Sequence, residues 1–224
     1  MRASLVSMRG CGAKSTAGLT VWGRVNSVNV QKVLLAIGEL GTPHERIDAG
    51  MHFGVNDSAE YRDMNPTGKI PTICDDGTVV YESNVIVRYV AAKYGAGTLW
   101  PQDPAARARA DVFMDLEQTT FASDMRTCFW NMVRTKPELR DMANVRDAAE
   151  RLGGEFKKLD ALLASQPFLA GATFTMGDIP IGCHANRYFQ LPIERPPLPN
   201  VEAWYARLKE RPAYAANVSG IPMS

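Results

Sequence analysis

The first regular pattern in the chain begins at Leu19, where a short apolar run ends at Trp22 and a glycine follows. This pattern predicts a strand that leads into a turn. Apolar residues then recur at helical spacing from Val30 to Leu40, and a second glycine marks the end of the predicted helix. The segment 44–48 is a candidate second strand. A strand, a helix and a strand within about 30 residues predict a βαβ unit with parallel strands.

A hairpin and another helix are predicted next. The segments 71–74 and 78–81 flank an Asp-Asp-Gly sequence, which is a good hairpin signal. Apolar residues between Val85 and Val90 then fall on one face of a helix. A βαβ unit followed by two strands and a helix is the thioredoxin-like arrangement. We therefore expect an α/β domain of this type over residues 19–94.

The remainder of the chain predicts a separate helical domain. Prolines and glycines punctuate residues 95–104, which we interpret as a linker. Residues 105–134 predict one long helix or a broken pair, and the pattern stays helical beyond them. We expect an all-α domain over residues 105–224. Residues 1–18 are rich in Ser, Gly, Arg and Lys, and we expect a disordered or non-core extension there.

Composition narrows the range of functions. The 224 residues carry a formal net charge of +1, which argues against nucleic-acid and membrane partners. No apolar run approaches the ~20 residues of a membrane helix. The three histidines and four cysteines show no metal-ligand spacing, so we expect no metal. The first 18 residues lack the apolar core of a secretory signal. The cysteines are far apart and form no C-x-x-C pair, so we expect no disulfide framework and a cytoplasmic protein.

The strongest local motif is Asn65-Pro-Thr-Gly-Lys-Ile-Pro71, which opens the third predicted strand. A cis Ile70–Pro71 bond would turn the backbone so that the N–H and C=O of Ile70 can pair with an extended peptide. A trans proline at a strand edge is the commoner alternative. The residues of the motif alone leave both open.

A second motif, Glu82-Ser83, lies where the fourth strand meets a helix. The N–H groups at a helix start, together with the Ser83 hydroxyl, form a small anion site. The Glu82 carboxylate beside it can accept from an ammonium group. One carboxylate and one ammonium on the same carbon form the head of an α-amino acid. The alternative is a serine N-cap with an acidic first turn.

Together these features resemble the glutathione-binding domain of the cytosolic glutathione S-transferases, in particular the bacterial serine-type members that are similar to the theta, delta and beta classes. The resemblance covers about residues 19–215, because the helical remainder is similar to the second domain of that family. It implies a transferase with glutathione as co-substrate. It also implies that Pro71 is cis, that Ile70 pairs with the cysteinyl backbone of glutathione, and that Glu82 and Ser83 hold its γ-glutamyl end.

Two residues are implied for the glycyl end of glutathione. Lys69 directly precedes the Ile-Pro pair, as a lysine does in theta-like members of the family. His52 lies in an Ala-Gly-Met-His stretch that resembles the corresponding segment of the delta class. Taken without the resemblance, a lone loop histidine is more often simply solvated.

The residue that activates the thiol is expected between the first strand and the first helix. Counting back from the helix, Ser27 falls where theta and delta members carry their catalytic serine, and Asn29 is the alternative. A hydroxyl that donates to sulfur lowers a thiol pKa that starts near ~8.5. Either residue could instead cap the helix. No tyrosine precedes this loop and it contains no cysteine, which disfavours the tyrosine-type and cysteine-type members.

The electrophile pocket is expected along the first long helical region. Aromatic and methionine stripes usually pack in a core, but those that face the first domain should line the pocket. Arg126 is also a candidate contact for glutathione or for an anionic substrate. The candidate pocket residues are Gln118, Phe121, Met125, Arg126, Phe129 and Trp130.

The resemblance implies nucleophilic attack by the glutathione thiolate on a small electrophile, a detoxification reaction, in a homodimer. A glutathione-dependent peroxidase or disulfide-bond reductase could use the same site. A non-catalytic binding module would keep the fold without the thiol donor, and the joint presence of Ser27, Pro71, Glu82 and Ser83 argues against it.

Overall fold

The computed structural model of the protein describes residues 18–224. The expectation for the N-terminal extension lies outside the described residues, except for Gly18. The first domain consists, in chain order, of β1 (Leu19–Trp22), α1 (Val28–Glu39), β2 (Glu45–Ile47), a 3-10 turn (Met51–Phe53), α2 (Ala59–Met64), β3 (Thr72–Asp75), β4 (Thr78–Tyr81) and α3 (Ser83–Tyr94).

The four strands form one mixed sheet in the order β2-β1-β3-β4. Strand β1 pairs with β2 in parallel and with β3 antiparallel, so that Val21 lies opposite Arg46 on one side and Ile73 on the other. All four residues of β1 are buried, which explains the unbroken apolar run at the start of the pattern. The predicted thioredoxin-like arrangement is confirmed.

The second domain is helical, as the sequence predicts. Two π-helical turns interrupt its first long helical region. The elements are α4 (Pro104–Leu116), a π turn (Glu117–Phe121), α5 (Ala122–Phe129), a second π turn (Trp130–Arg134), a 3-10 turn (Pro137–Leu139), α6 (Met142–Leu163), α7 (Asp178–Gln190), α8 (Pro199–Lys209), α9 (Pro212–Tyr214) and a third π turn (Ala215–Ser219). Within residues 18–224, no helix has the length and apolar character that crossing a membrane requires.

Helix α1 joins the two domains, since it packs against α3 on one side and α7 on the other. Residues from Val30 to Ile37 are therefore buried around the whole helix, and a helix enclosed on all sides is normally apolar throughout. Lys32 breaks this rule, because its side chain is only 1% exposed. A buried cation needs a partner, and that partner lies in the second domain.

Candidate functional site

A cavity of about 320 Å³ opens between the domains, at the N-terminal end of α1. The loop after β1, the start of α1 and the β4–α3 junction form one wall, and α5 with its flanking π turns forms the other. The cavity brings together most of the residues expected from the sequence. Of these, it is lined by Ser27, Asn29, Lys69, Glu82, Gln118, Met125, Arg126, Phe129 and Trp130.

Ser27 is the N-cap residue of α1, and it is buried at the cavity wall. Its main-chain carbonyl accepts from the Gln31 N–H at 2.9 Å. Its hydroxyl makes no capping hydrogen bond and has no partner among residues 18–224. Asn29 is the second residue of α1 and is exposed. The hydroxyl of Ser27 is thus available to a ligand at the positive end of the helix dipole.

The Ile70–Pro71 peptide bond is cis, so the structure decides between the two alternatives that the sequence leaves open. Side chains hold the loop before it in place. The Asn65 amide donates to the carbonyl of Lys69 and to the Thr72 hydroxyl, both at 2.9 Å. The Tyr61 hydroxyl donates to the same carbonyl at 2.7 Å. Pro71 is buried, while Ile70 is half-buried and lies just before β3.

At the junction of β4 and α3, Glu82 adopts a φ of 69°, a left-handed conformation that a non-glycine residue seldom takes. Its carbonyl accepts from the Ile86 N–H, which closes the first turn of α3. Ser83 is the first residue of that helix and is buried. Such backbone outliers cluster at ligand sites, and here the outlier directly precedes α3, where the exposed Glu82 side chain borders the cavity.

The two candidates for the glycyl end lie differently. The exposed side chain of Lys69 borders the cavity. His52 lies on the exposed 3-10 turn, where its ring contacts that of Phe53 at a centroid distance of 4.0 Å, and it does not line the cavity. Met51, the residue before His52, contacts Arg134 of the second domain, so the turn approaches the cavity rim.

On the helical wall, Phe121 departs from expectation. It is fully buried and packs edge to face against Phe156 at 5.1 Å, away from the cavity. The reason is the π turn Glu117–Phe121, whose wider turn shifts the phase of the helix. As a result Ala122, rather than Phe121, lies one turn after Gln118 on the cavity face.

A buried charge network borders the cavity, and no sequence motif predicts it. Glu117 forms an ion pair with Lys32 Nζ at 2.7 Å and accepts a hydrogen bond from His184 Nε2 at 2.6 Å. The Asn84 amide donates to the same carboxylate at 2.9 Å. These residues come from α1, α3, α7 and the first π turn, so the network ties the two domains together. We name Lys32, Asn84, Glu117 and His184 the Glu117 network.

The pKa values in the Glu117 network follow from its burial and its charges. Burial alone would raise the pKa of Glu117, but its interactions with His184 and Lys32 outweigh burial and hold this pKa well below its ordinary value. Burial lowers the pKa of His184 more than the carboxylate raises it. The network therefore combines an ionised Glu117 with a neutral His184 at pH 7.

Three arginines that sequence reasoning missed also border the cavity: Arg24, Arg134 and Arg187. Arg187 stacks over the Phe129 ring at 3.9 Å and donates to the carbonyl of Asn26 at 3.2 Å. The three positions are far apart in the sequence and share no motif. Within residues 18–224 no cluster of His, Cys, Asp and Glu could hold a metal ion.

Comparison with known proteins places this geometry in a family. The family model for the glutathione S-transferase N-terminal domain matches residues 17–92, and that for the C-terminal domain matches residues 104–207. Glutathione S-transferase GstB of Escherichia coli is 42% identical over 208 residues, which cover 92% of this chain and 100% of the relative. Glutathione S-transferase 3 of Zea mays is 30% identical, over 92% of this chain and 96% of the relative.

The fold comparison agrees with the sequence comparison. The theta class glutathione S-transferase of Xanthomonas axonopodis pv. citri, with glutathione bound, matches at a TM-score of 0.90 and 45% identity, over 93% of this chain and 100% of that structure. Its apo form matches at a TM-score of 0.82 over the same shares of both chains. The chain therefore belongs to the glutathione S-transferase family.

Proposed function

We propose that this protein is a glutathione S-transferase that activates the thiol of glutathione for attack on an electrophile held between its domains. The observation that carries the proposal is the convergence of Ser27, Lys69 and Glu82 on one interdomain cavity at the start of α1. The fold also matches the glutathione-bound Xanthomonas enzyme better than its apo form.

Glutathione is held, in this proposal, along the first domain. The main chain of Ile70 pairs with the cysteinyl backbone, because an open strand end offers one donor and one acceptor to an extended peptide. Glu82 accepts from the γ-glutamyl ammonium group, and Ser83 with the N–H groups at the start of α3 binds the adjacent carboxylate. Lys69 and His52 take the glycyl carboxylate. These anchors leave the sulfur near the start of α1.

Ser27 is the proposed thiol donor. Its hydroxyl is buried at the cavity wall and has no partner among the described residues, so it can donate to sulfur without breaking another hydrogen bond. The dipole of α1 adds positive potential at the same place. Asn29 remains the second candidate, and it is the more exposed of the two. A donor to the thiolate lowers the pKa of the thiol and raises its reactive fraction at neutral pH.

A conjugation assay with 1-chloro-2,4-dinitrobenzene tests the proposal. We expect product only when glutathione is present. Ser27→Ala should reduce turnover roughly 10- to 150-fold, the cost of a lost hydrogen bond to a charged group, while glutathione affinity changes little. Asn29→Ala serves as the matched control with a smaller effect. The assignment is wrong if Asn29→Ala abolishes turnover and Ser27→Ala preserves it. Faster reduction of cumene hydroperoxide than conjugation would favour the peroxidase alternative.

We also propose a cytoplasmic homodimer. Apolar side chains on α3 and α4 are exposed in the single chain, among them Val85 at 47% and Val112 at 58%, and burial against a second copy would remove them from water. Light scattering should then give about twice the 24.6 kDa mass of one chain. A monomer at all working concentrations would contradict the dimer without affecting the cavity.

A further inference from the structure

Among the described residues, no aspartate or glutamate side chain pairs with the three arginines of the cavity, although Arg134 donates to the main-chain oxygen of the last residue, Ser224. We name Arg24, Arg134 and Arg187 the arginine cluster. Among the ion pairs of residues 18–224, none includes a member of this cluster. The first acidic residue of the chain is Glu39, so residues 1–17 supply no carboxylate side chain either. The positive charge of the cluster is therefore not neutralised by any side chain.

The acidic residues of the cavity are engaged elsewhere. Glu117 is enclosed by Lys32 and His184 in its own network. Glu82 stands at the β4–α3 junction, where the proposed function assigns it to the ammonium group of glutathione. Arg126 and Lys69 add further positive charge at the rim. The cavity consequently carries a surplus of cations.

Burial makes this surplus costly. Arg187 is 9% exposed, and burial, together with the charges of Arg134 and Arg24, lowers its pKa to about 10. Burial and the charge of Arg134 likewise lower the pKa of Arg24. The Nε atoms of Arg24 and Arg134 are buried without a hydrogen-bond partner. A buried guanidinium with unused donors is stabilised strongly by an oxyanion, which accepts bidentate hydrogen bonds.

The cluster spans both walls of the cavity. Arg134 and Arg187 belong to the helical domain and lie over the ring of Phe129, at 5.4 and 3.9 Å from its centroid. Arg24 belongs to the first domain and lies beside Gly50 and Ile70, and Arg134 also contacts Met51 of that domain. An anion held by Arg134 and Arg187 thus sits against the electrophile wall, with an aromatic ring beside it for the carbon skeleton.

We propose that the electrophile of this enzyme carries an oxyanion, such as a carboxylate, that Arg134 and Arg187 bind with support from Arg24. The inference rests on the proposed function and adds the substrate class. In a substitution, the sulfur–carbon bond forms as the carbon–halogen bond breaks, the halide leaves with the bonding electron pair, and the thiol proton passes to solvent. The arginines orient the substrate and take no part in the bond changes.

Binding of an unreactive ligand pair tests the proposal without relying on turnover. In calorimetry with glutathione present, 3,5-dinitrobenzoate should bind about 10- to 100-fold more tightly than 3,5-dinitrobenzamide, since the two differ mainly in charge. Arg187→Gln should remove this preference. Arg134→Gln, at a less buried position, should do the same if the first variant fails to fold. Arg146→Gln, an exposed arginine outside the cavity, is the matched control and should keep the preference.

Kinetics with a reactive pair of electrophiles test whether the arginines bind the anionic group of the electrophile. For 4-chloro-3,5-dinitrobenzoate, kcat/KM should exceed that of the corresponding amide and fall about 10- to 100-fold in Arg134→Gln, with the KM for glutathione unchanged. Equal affinity of the wild type for 3,5-dinitrobenzoate and 3,5-dinitrobenzamide would overturn the inference. So would a variant that raises the KM for glutathione and affects both electrophiles equally, since the arginines would then serve glutathione. Absence of conjugation with either compound, despite tighter benzoate binding, would instead count against the proposed function.

Discussion

Two groups of charged side chains border the same cavity and differ in how their charge is balanced. In the Glu117 network, one carboxylate meets a lysine, a histidine and an amide within 2.9 Å, so every charge has a partner. In the arginine cluster, three cations face the cavity and no ion pair of residues 18–224 involves them. The balanced group holds the domains together, and the unbalanced group is arranged for a ligand.

The largest effect is expected from Glu117→Gln. The substitution leaves Lys32 charged, buried and without a counter-ion, which typically costs about 3–5 kcal/mol of unfolding free energy. Urea denaturation measures this loss, and Glu138→Gln, at an exposed glutamate, is the matched control. The pair Lys32→Met with Glu117→Leu should recover part of the stability, because no lone buried charge remains. A stability loss below about 1 kcal/mol in Glu117→Gln would show that the network does not hold the domains together.

His184 makes the stability of the Glu117 network depend on pH, which gives a second test of the comparison. The pKa of His184 is lower in the folded protein than in the unfolded chain. On acidification the unfolded chain is therefore protonated at His184 first. The free energy of unfolding then falls as the pH drops below the ordinary histidine pKa near ~6.5. One such proton contributes a slope of up to ~1.4 kcal/mol per pH unit. Glu117, whose pKa is also lowered, adds a loss of the same sign at lower pH.

Urea unfolding of wild type and His184→Gln at several values between pH 5 and 8, a range chosen around ~6.5, isolates this contribution. We expect the wild type to lose more stability than the variant on the acid side. Parallel pH profiles would mean that His184 has the same pKa in the folded and unfolded chains.

The smallest effect on stability is expected from the arginine cluster. Arg134→Gln removes one of three mutually repelling cations and no pair with an aspartate or glutamate. It loses only contacts with Met51 Sδ and the main-chain oxygen of Ser224, so the unfolding free energy should change by no more than about 0.5 kcal/mol. The same denaturation experiment measures it beside Glu117→Gln. A loss of several kcal/mol would mean that Arg134 supports the fold and would remove the distinction between the two groups.

The contrast also explains what the sequence could predict. Strand β1, helix α1 and the β3–β4 hairpin follow from local apolar patterns and turn residues, and Ser27 and Glu82 stand next to element boundaries that those patterns locate. Sequence patterns do not predict the Glu117 network, because its members look like ordinary polar residues on four separate helical segments. Only the packing of α1 between the domains makes Lys32 a buried residue.

Two further features depend on geometry that no local pattern encodes. Arg24, Arg134 and Arg187 meet only after both domains have folded, so their spacing in the sequence carries no signal. The prediction for Phe121 assumed a regular α-helical phase, and the π turn Glu117–Phe121 changes that phase by local widening of the helix. Nothing in residues 117–121 distinguishes such a turn from ordinary helix before the structure is known.

The most direct test of the central claim is a titration of the glutathione thiol in complex with the enzyme, followed by thiolate absorbance in the ultraviolet. In the wild type we expect the pKa of the bound thiol to lie below the ~8.5 typical of a free thiol. In Ser27→Ala it should rise by about 1–2 units, which corresponds to the loss of one charge-assisted hydrogen bond. Asn29→Ala should leave it close to the wild-type value. An unchanged pKa in Ser27→Ala, or a wild-type value equal to that of free glutathione, would contradict the account.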